Sequence, residues 1–244
     1  MSVVGVIPAR HASSRFPGKA LAEIDGVAMI ERVWRGARAC QRLREVVVAT
    51  DDARIAALCE SIGASVAMTR SDHPSGTDRV AEVAGGLEDE IVVNIQGDEP
   101  LIEPFVIEAA IDALEALPAA EMATVAHAMR PEDREDPNRV KVVFDQLGRA
   151  LYFSRSLIPA SRRGAPAPAY WQHVGLYAYR RSFLLDFVKL ERGPLEATEA
   201  LEQLRALESG HSIRVGIIEG WESAPLDVPA DVARVEAALR ARDG

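Results

Sequence analysis

The segment IPARHASSRFPGKAL, residues 7–21, follows the apolar run VVGVI at residues 3–7. The run carries no charge and is rich in β-branched residues, which is typical of a buried strand in a parallel sheet. Three cations, Arg10, Arg15 and Lys19, come after it, separated by small residues and a Pro-Gly pair. Because α/β proteins bind ligands at the carboxyl ends of parallel strands, these cations indicate a polyanionic ligand, most simply a triphosphate.

Spacing excludes two well-known phosphate-binding loops at this position. A Walker A loop needs glycine at position 13 and serine or threonine at position 20, where this chain has Ser13 and Ala20. The dinucleotide fingerprint G-x-G-x-x-G is also absent after the first strand. An ordinary surface loop with solvated charges is the alternative interpretation of the same residues.

The amino-acid composition indicates a globular protein and argues against nucleic acid as its partner. The chain has 244 residues, 48% of them hydrophobic and 27% charged, as expected for a globular protein. A formal net charge of -9 disfavours nucleic acid as a partner, since a phosphate backbone needs a basic surface. We expect no membrane span and no secretion signal. Cys40 and Cys59 lack C-x-x-C spacing, so we predict two buried thiols in a reducing cytoplasm.

Apolar periodicity predicts alternating strands and helices in the first half of the chain, hence a parallel sheet with helices on both faces. The predicted strands cover residues 3–7, 45–50, 64–68, 91–95 and 122–129, and the predicted helices cover 27–40, 53–62, a segment after 79, and 105–117. Asp51 and Asp52 precede the second of these helices, and we expect them to cap it rather than to bind a metal.

The second half has a different, more antiparallel character. We predict strands at residues 139–145, 149–154, 172–179 and 212–218, a helix at 194–205 and a C-terminal helix after the segment 225–232. The segment 161–169 is rich in Arg, Gly and Pro and is predicted to be a mobile connection.

Two motifs follow predicted strands of the first half. Ser75, Gly76 and Thr77 precede a predicted helix, where they suit either capping or the cradle of a nucleotide. Asp98 follows the strand at 91–95, in the sequence QGDEP. A carboxylate there is suited to Mg²⁺, which takes one or two carboxylates together with substrate phosphates, although a turn aspartate is the alternative.

The cationic loop resembles the signature P-A-R-x-x-S-x-R-x-P-G-K of the bacterial cytidylyltransferases that activate 3-deoxy-manno-octulosonate (Kdo), the CMP-Kdo synthetase family. Further matches are V-N-x-Q-G-D-E-P, Y-F-S-R, H-x-G-x-Y-x-Y and P-L-E-x-x-E-x-L-E-Q-L-R, so the resemblance covers nearly the whole chain. It implies an α/β, Rossmann-like nucleotidyltransferase (GT-A-like) fold, in which helices flank a central mostly parallel sheet beside a smaller antiparallel sheet.

The resemblance also implies an organisation of one domain over residues 1–244. Its nucleotide half would cover about 1–125, and a sugar-binding part, also the candidate dimerisation region, about 126–220. The metal-binding aspartate and the last helix would lie in about 221–244. In the segment PLDVPAD the family pattern G-V-D-T-P-E-D is altered at several positions, but Asp227 is kept.

Site residues follow from the same resemblance. The implied catalytic residues are Arg10, Arg15, Lys19, Asp98 and Asp227, with Mg²⁺ as cofactor on Asp98 and Asp227. The implied nucleotide-binding residues are Arg10, Ser13, Arg15, Lys19, Ser75, Gly76 and Thr77, and the implied sugar-binding residues are Gln96, Arg155, His173, Tyr177 and Glu196. An Arg155 fork suits the carboxylate of the sugar, whereas Gln172 stands where the family often has arginine.

The expected reaction is the transfer of CMP from CTP to Kdo for lipopolysaccharide biosynthesis, by direct displacement of pyrophosphate in a cytoplasmic homodimer. Within enzymes, the alternative is a cytidylyltransferase for another 2-keto sugar acid, such as 8-amino-Kdo or sialic acid. Outside enzymes, it is a non-catalytic nucleotide-binding regulator, which retention of Asp98 and Asp227 disfavours. No nucleic acid or membrane partner is expected.

Overall fold

The apolar run near the N-terminus forms a buried strand, β1 (Val3–Ala9), which continues past Pro8. It pairs in parallel with β4 (Glu45–Thr50) on one side and with β6 (Ile91–Asn94) on the other. β4 in turn pairs in parallel with β5 (Ser65–Met68). The predicted parallel sheet is therefore confirmed, with the strand order β6-β1-β4-β5 in this part of the chain.

The protein is represented by a computed structural model that describes residues 1–12, 15–164 and 166–243. Two compact units divide the chain: unit 1 is Met1–Glu108 with Ser223–Gly244, and unit 2 is Ala109–Glu222. Besides its parallel strands, unit 1 contains the short hairpin β2 (Glu23–Ile24) and β3 (Val27–Ala28), a 3-10 turn (Lys19–Leu21), and the helices α1 (Met29–Arg38), α2 (Ala53–Ser61), α3 (Gly76–Gly85) and α8 (Asp231–Asp243). The boundary between the units falls within α4 (Pro104–Ala116).

Local sequence accounts for where these helices begin and which face they bury. The Asp52 carboxylate accepts hydrogen bonds from the backbone N–H groups of Arg54 and Ile55, which confirms the predicted cap of α2. Ser75 caps α3 in the same way, accepting from Asp78 N at 3.1 Å. α1 begins at Met29, two residues later than predicted, because residues 27 and 28 form β3.

Unit 2 is built around β7 (Met122–Ala128), which pairs antiparallel with β10 (Trp171–Arg180) and parallel with β11 (Ile213–Ile218). β8 (Lys141–Phe144) pairs antiparallel with β9 (Ala150–Ser154) and with β10. The helices of this unit are α5 (Arg181–Phe187), α6 (Pro194–Glu199) and α7 (Leu204–Glu208), with a 3-10 turn at Pro131–Asp133. The predicted antiparallel character is confirmed.

The single helix predicted over 194–205 is wrong. Ala200 has a left-handed backbone (φ 51°), which ends α6 at Glu199, and α7 begins only at Leu204. Glu199 and Glu202 therefore do not share one helical face. A left-handed alanine is disfavoured locally, so tertiary contacts decide this break and periodicity does not reveal it.

Two predictions about the rest of the chain can also be compared with the structure. Cys40 and Cys59 are both buried free thiols, as expected. Burial raises the pKa of each, to about 11 for Cys59, so both are inert neutral groups at physiological pH. None of the described helices is long and apolar enough to cross a bilayer.

Candidate active site

A cavity of about 250 Å³ lies in unit 1 at the carboxyl ends of β1 and β6. Its walls come from the end of β1, the cationic loop, the N-terminus of α3 and the loop after β6. It is lined by Pro8, Ala9, Arg10, Arg15, Lys19, Ala20, Met29, His73, Ser75, Gly76, Arg79, Gln96, Gly97 and Asp98. The structure thus brings together seven of the predicted site residues, namely Arg10, Arg15, Lys19, Ser75, Gly76, Gln96 and Asp98.

Two glycines shape the walls of this cavity. A Cβ added at Gly97 would lie 2.7 Å from the carbonyl oxygen of Pro8, so only glycine lets the loop after β6 pack against β1. Gly18 has φ 76° and donates its backbone N–H to the carbonyl of His11 at 2.9 Å. That turn places Lys19 at the start of the 3-10 turn, with its side chain toward Asp98.

The predicted metal carboxylates and two predicted phosphate-binding cations form one charged cluster. Lys19 Nζ lies 2.8 Å from Asp98 Oδ2 and 3.9 Å from Asp227 Oδ1. Arg15 Nη2 lies 2.8 Å from the same Asp227 oxygen. Two residues far apart in sequence, Asp98 and Asp227, are therefore neighbours around a single ammonium group.

Backbone hydrogen bonds hold the segment that carries Asp227. The backbone N–H of Leu226 donates to the carbonyl of Asp98 at 2.9 Å. The Asp231 carboxylate accepts from the backbone N–H groups of Asp227 at 2.8 Å and Val228 at 3.0 Å. Asp231 was not singled out in the sequence, although its place at the start of the last helix is typical of a capping aspartate.

The donor set at this cluster fits Mg²⁺. The Asp98 and Asp227 side chains are 30% and 35% exposed, so both carboxylates are accessible from the solvent side. No group of three or more His, Cys, Asp or Glu side chains suited to a metal occurs among the described residues. Mg²⁺ commonly takes one or two carboxylates and completes its octahedron with water and substrate phosphates, which matches two aspartates beside a cationic cavity.

The structure places the other predicted nucleotide-binding residues differently from one another. Ser75 and Gly76 line the cavity at the N-terminus of α3. Thr77 is buried and accepts a hydrogen bond from Asn94 Nδ2 at 3.3 Å, so its hydroxyl faces β6 within the core. Ser13 lies outside the described residues.

Two cavity residues, His73 and Arg79, were missed in the sequence analysis. His73 Nε2 is hydrogen-bonded to the Glu82 carboxylate, and that bond lowers the pKa of Glu82. Arg79 is 3% exposed and lies 3.3 Å from an oxygen of Asp51. Both flank the predicted Ser75-Gly76-Thr77 motif in sequence, His73 before α3 and Arg79 within it, and closeness to that motif is the signal that could have indicated them.

The predicted sugar residues other than Gln96 lie in unit 2. His173 is buried in β10, its ring 5.5 Å from that of Tyr177, and burial lowers its pKa to about 3. The Thr124 hydroxyl donates to backbone carbonyls, so it accepts from His173 Nε2 at 3.0 Å. His173 is therefore a neutral imidazole whose Nε2–H donates to Thr124, which leaves Nδ1 as a hydrogen-bond acceptor.

Arg155 and Glu196 already have partners within unit 2. The Arg155 guanidinium donates to the carbonyls of Glu199 at 2.7 Å, Pro137 at 3.1 Å and Ala200 at 3.3 Å. Glu196 is buried and forms a two-pronged pair with Arg205, at 2.7 Å for each oxygen. The Arg155 guanidinium thus donates to neutral carbonyls in these contacts, while its backbone N–H donates to the Glu199 carboxylate at 3.0 Å.

Comparisons with known proteins identify the family of this chain. A sequence model described as cytidylyltransferase matches residues 4–213. The chain is 50% identical, over 98% of its length and 99% of the relative, to a 3-deoxy-manno-octulosonate cytidylyltransferase of Syntrophotalea carbinolica. It is 46% identical, over 98% and 99%, to an 8-amino-3,8-dideoxy-manno-octulosonate cytidylyltransferase of Shewanella halifaxensis.

A solved structure is similar over the whole chain. It is a CMP:2-keto-3-deoxy-manno-octonic acid synthetase complexed with CTP, and it superposes with a TM-score of 0.93 at 41% identity. The match covers 99% of this chain and 100% of that structure. The α/β fold inferred from the sequence is therefore shared with a protein whose complex contains CTP.

Proposed function

The chain belongs to the cytidylyltransferase family, and on that premise we propose that it transfers CMP from CTP to Kdo with release of pyrophosphate. The observation that carries this proposal is the cavity at the ends of β1 and β6, where Lys19 lies between Asp98 and Asp227. The names of relatives about 50% identical over nearly the whole chain support Kdo as the acceptor.

In the proposed reaction, a hydroxyl oxygen of the sugar attacks the α-phosphorus of CTP. A new P–O bond joins CMP to the sugar and the hydroxyl loses its proton to solvent. The bond between the α-phosphorus and the bridging oxygen breaks, and pyrophosphate leaves with that electron pair. Such phosphoryl chemistry needs little covalent participation from the protein, so positioning and charge stabilisation supply most of the catalysis.

The three cations of the first loop and the two aspartates have different roles in this proposal. Arg10, Arg15 and Lys19 would stabilise the negative charge of the triphosphate and of departing pyrophosphate. Asp98 and Asp227 would hold Mg²⁺, which when bound supplies positive charge at the α-phosphate. Ser75 and Gly76, which line the same cavity at the N-terminus of α3, would bind the nucleoside.

The residues expected to bind the sugar acceptor are Gln96, Arg155, His173, Tyr177 and Glu196. Arg155 supports this assignment because its guanidinium contacts only neutral carbonyls in the hydrogen bonds above, and a carboxylate is a stronger acceptor for it. The neutral His173 would accept a hydrogen bond from a sugar hydroxyl at Nδ1, since its Nε2–H already donates to Thr124. Glu196 would contact sugar hydroxyls only by sharing its carboxylate with Arg205.

A second acceptor has specific support. The relative named for 8-amino-3,8-dideoxy-manno-octulosonate is 46% identical to this chain, close to the values for the relatives named for Kdo. The two sugars differ at one substituent, so both remain candidate substrates of the same site. The lipopolysaccharide role, a cytoplasmic location and a homodimer follow from the resemblance and are part of this proposal.

Pyrophosphate release tests the proposal. The purified protein is incubated with Mg²⁺ and CTP together with Kdo, 8-amino-Kdo or sialic acid, and ATP replaces CTP in a parallel series. We expect release with CTP and Kdo above all other pairs. A preference for 8-amino-Kdo would move the acceptor to the second candidate, and no release with any acceptor would indicate the non-catalytic regulator.

A further inference from the structure

Asp98 and Glu99 are adjacent residues with different environments. The Asp98 side chain faces the cavity and contacts Lys19. The Glu99 side chain is buried, 7% exposed, and contacts the segment that leads to Asp227. The proposed reaction does not use Glu99.

Both oxygens of Glu99 accept a hydrogen bond from the chain just before Asp227. The Ser223 hydroxyl donates to one oxygen, and the backbone N–H of Ala224 donates to the other at 3.2 Å. The bond from Leu226 N to the Asp98 carbonyl, 2.9 Å long, lies between these contacts and Asp227. Asp98 and Glu99 together thus accept hydrogen bonds from three residues of this segment, Ser223, Ala224 and Leu226.

Side-chain contacts matter here because the segment has no secondary structure to place it. Residues 219–230 contain no helix or strand, so no ladder of backbone hydrogen bonds determines the position of Asp227. Glu99 holds the segment before Asp227 and Asp231 holds it after. The position of the Asp227 carboxylate relative to Asp98 is therefore set from both sides by buried or half-buried carboxylates.

We propose that Glu99 is a positioning residue, which sets the separation of the Asp98 and Asp227 carboxylates and thereby the affinity of the site for a divalent cation. This inference rests on the proposed Mg²⁺ site. Mg²⁺ demands near-octahedral geometry at about 2.0–2.1 Å, so a small displacement of one ligand weakens binding. Groups that orient metal ligands typically change metal affinity by about 10–100-fold when removed.

Two hydrogen-bond donors converge on the Glu99 carboxyl group. A carboxylate accepts from both the Ser223 hydroxyl and the Ala224 N–H. The amide of glutamine has a single acceptor oxygen, and its NH₂ group would face a second donor. Glu99→Gln therefore keeps the shape of the side chain but loses one of the two contacts.

Mn²⁺ serves as the probe, since electron paramagnetic resonance reports free Mn²⁺ directly and needs no turnover. Glu99→Gln is expected to weaken Mn²⁺ binding by at least tenfold while its affinity for CTP in EDTA changes less than twofold. Ser223→Ala removes only one contact and is expected to weaken Mn²⁺ binding about threefold. Glu208→Gln is the matched control, because Glu208 accepts the backbone N–H groups of Leu195 and Glu196 in unit 2, and Mn²⁺ affinity should not change.

Equal Mn²⁺ affinity in wild type and folded Glu99→Gln overturns the inference. If Glu99→Gln does not fold, Ser223→Ala decides: weakened Mn²⁺ binding supports a positioning role and unchanged binding refutes it. Asp98→Asn separates this outcome from a failure of the proposed metal site. Loss of Mn²⁺ binding in Asp98→Asn with normal binding in Glu99→Gln refutes only the role of Glu99, whereas normal binding in both refutes the metal site itself.

Discussion

Lys19 and Asp98 form an ion pair of 2.8 Å at the wall of the cavity, with the Lys19 side chain 16% exposed. The same ammonium lies 3.9 Å from Asp227. Lys19 therefore occupies the region between the two carboxylates that a divalent cation would share. Binding of Mg²⁺ and a triphosphate would give each partner a new counter-charge, the carboxylates gaining the metal and Lys19 gaining phosphate oxygens.

Asp98→Asn is expected to lower turnover strongly without unfolding the protein. The substitution keeps the shape of the side chain and removes one of two negative charges next to Lys19. A loss of about 3–4 kcal/mol in transition-state stabilisation corresponds to a rate roughly 10²–10³-fold lower. Steady-state kinetics at saturating Mg²⁺ measure the effect. The control is Asp186→Asn, which breaks an exposed lysine pair of the same 2.8 Å length in unit 2. Near-normal turnover of folded Asp98→Asn would contradict the assignment.

Lys19→Ala is expected to weaken CTP binding and turnover while binding of the free sugar acid stays intact. The physical reason is that Lys19 lies on the cavity wall in unit 1 and pairs with the candidate metal carboxylates. Calorimetric titration with each ligand separately distinguishes the two effects, with Lys189→Ala as the control for loss of a lysine pair. Equal losses for both ligands would show that the substitution acts through the fold.

Arg155→Ala is expected to raise the Michaelis constant for the sugar and not that for CTP. Loss of a charge-assisted contact with the sugar carboxylate costs about 1.5–3 kcal/mol, which is roughly 10–150-fold. Arg155→Lys should not restore the wild-type value, because an ammonium cannot reproduce the planar fork. Arg149→Ala, which breaks an exposed pair with Asp145, is the control. A raised constant for CTP alone would assign Arg155 to the nucleotide.

His173 is expected to make folding stability depend on pH. Burial lowers its pKa to about 3, whereas an unfolded histidine titrates near 6.5. Between these values the unfolded chain binds a proton that the folded protein does not, so stability falls as pH falls. The contribution is about 2 kcal/mol between pH 7 and pH 5. Denaturant unfolding of wild type and His173→Gln at both pH values measures it, and a smaller loss is expected in the variant. Identical losses would show that folding does not lower the pKa of His173.

Two helical glycines should respond oppositely to alanine. A Cβ on Gly36 in α1 would overlap the carbonyl oxygen of Ile102, whereas a Cβ on Gly85 in α3 would meet nothing within 4 Å. We expect Gly36→Ala to destabilise the protein by about 1–3 kcal/mol. Gly85→Ala should be neutral or stabilising by up to about 1 kcal/mol, since alanine loses less backbone entropy. Thermal unfolding compares them, and equal melting temperatures would contradict the packing of α1.

Local patterns in the sequence were enough to predict most of the strands and helices. The strand at Glu45–Thr50 has the predicted bounds, and α1 buries Met29, Ile30, Val33 and Ala37 at helical spacing. These elements follow from apolar periodicity, which is a local pattern and can be seen in the sequence directly. The α5 helix was not predicted because RSFLLDF is too short for a clear period.

Features that depend on contacts between residues distant in sequence could not be predicted from local patterns. The break at Ala200 arises where α6 ends and Arg155 donates to the carbonyls of Glu199 and Ala200. The low pKa of His173 comes from burial, and no local sequence pattern indicates how deeply this histidine is buried. Asp227 was placed with Asp98 by family resemblance, and the contact of both with Lys19 is a tertiary relationship that spacing alone does not give.

Phosphorus-31 nuclear magnetic resonance of the purified protein with CTP, Kdo and Mg²⁺ distinguishes nucleotidyl transfer to the sugar from hydrolysis of CTP. We expect the three CTP resonances to be replaced by one phosphodiester resonance of a CMP-sugar and by pyrophosphate, in equal amounts and only when the sugar is present. Formation of CMP and pyrophosphate without a sugar adduct, or of CDP and phosphate, would contradict nucleotidyl transfer to the acid sugar.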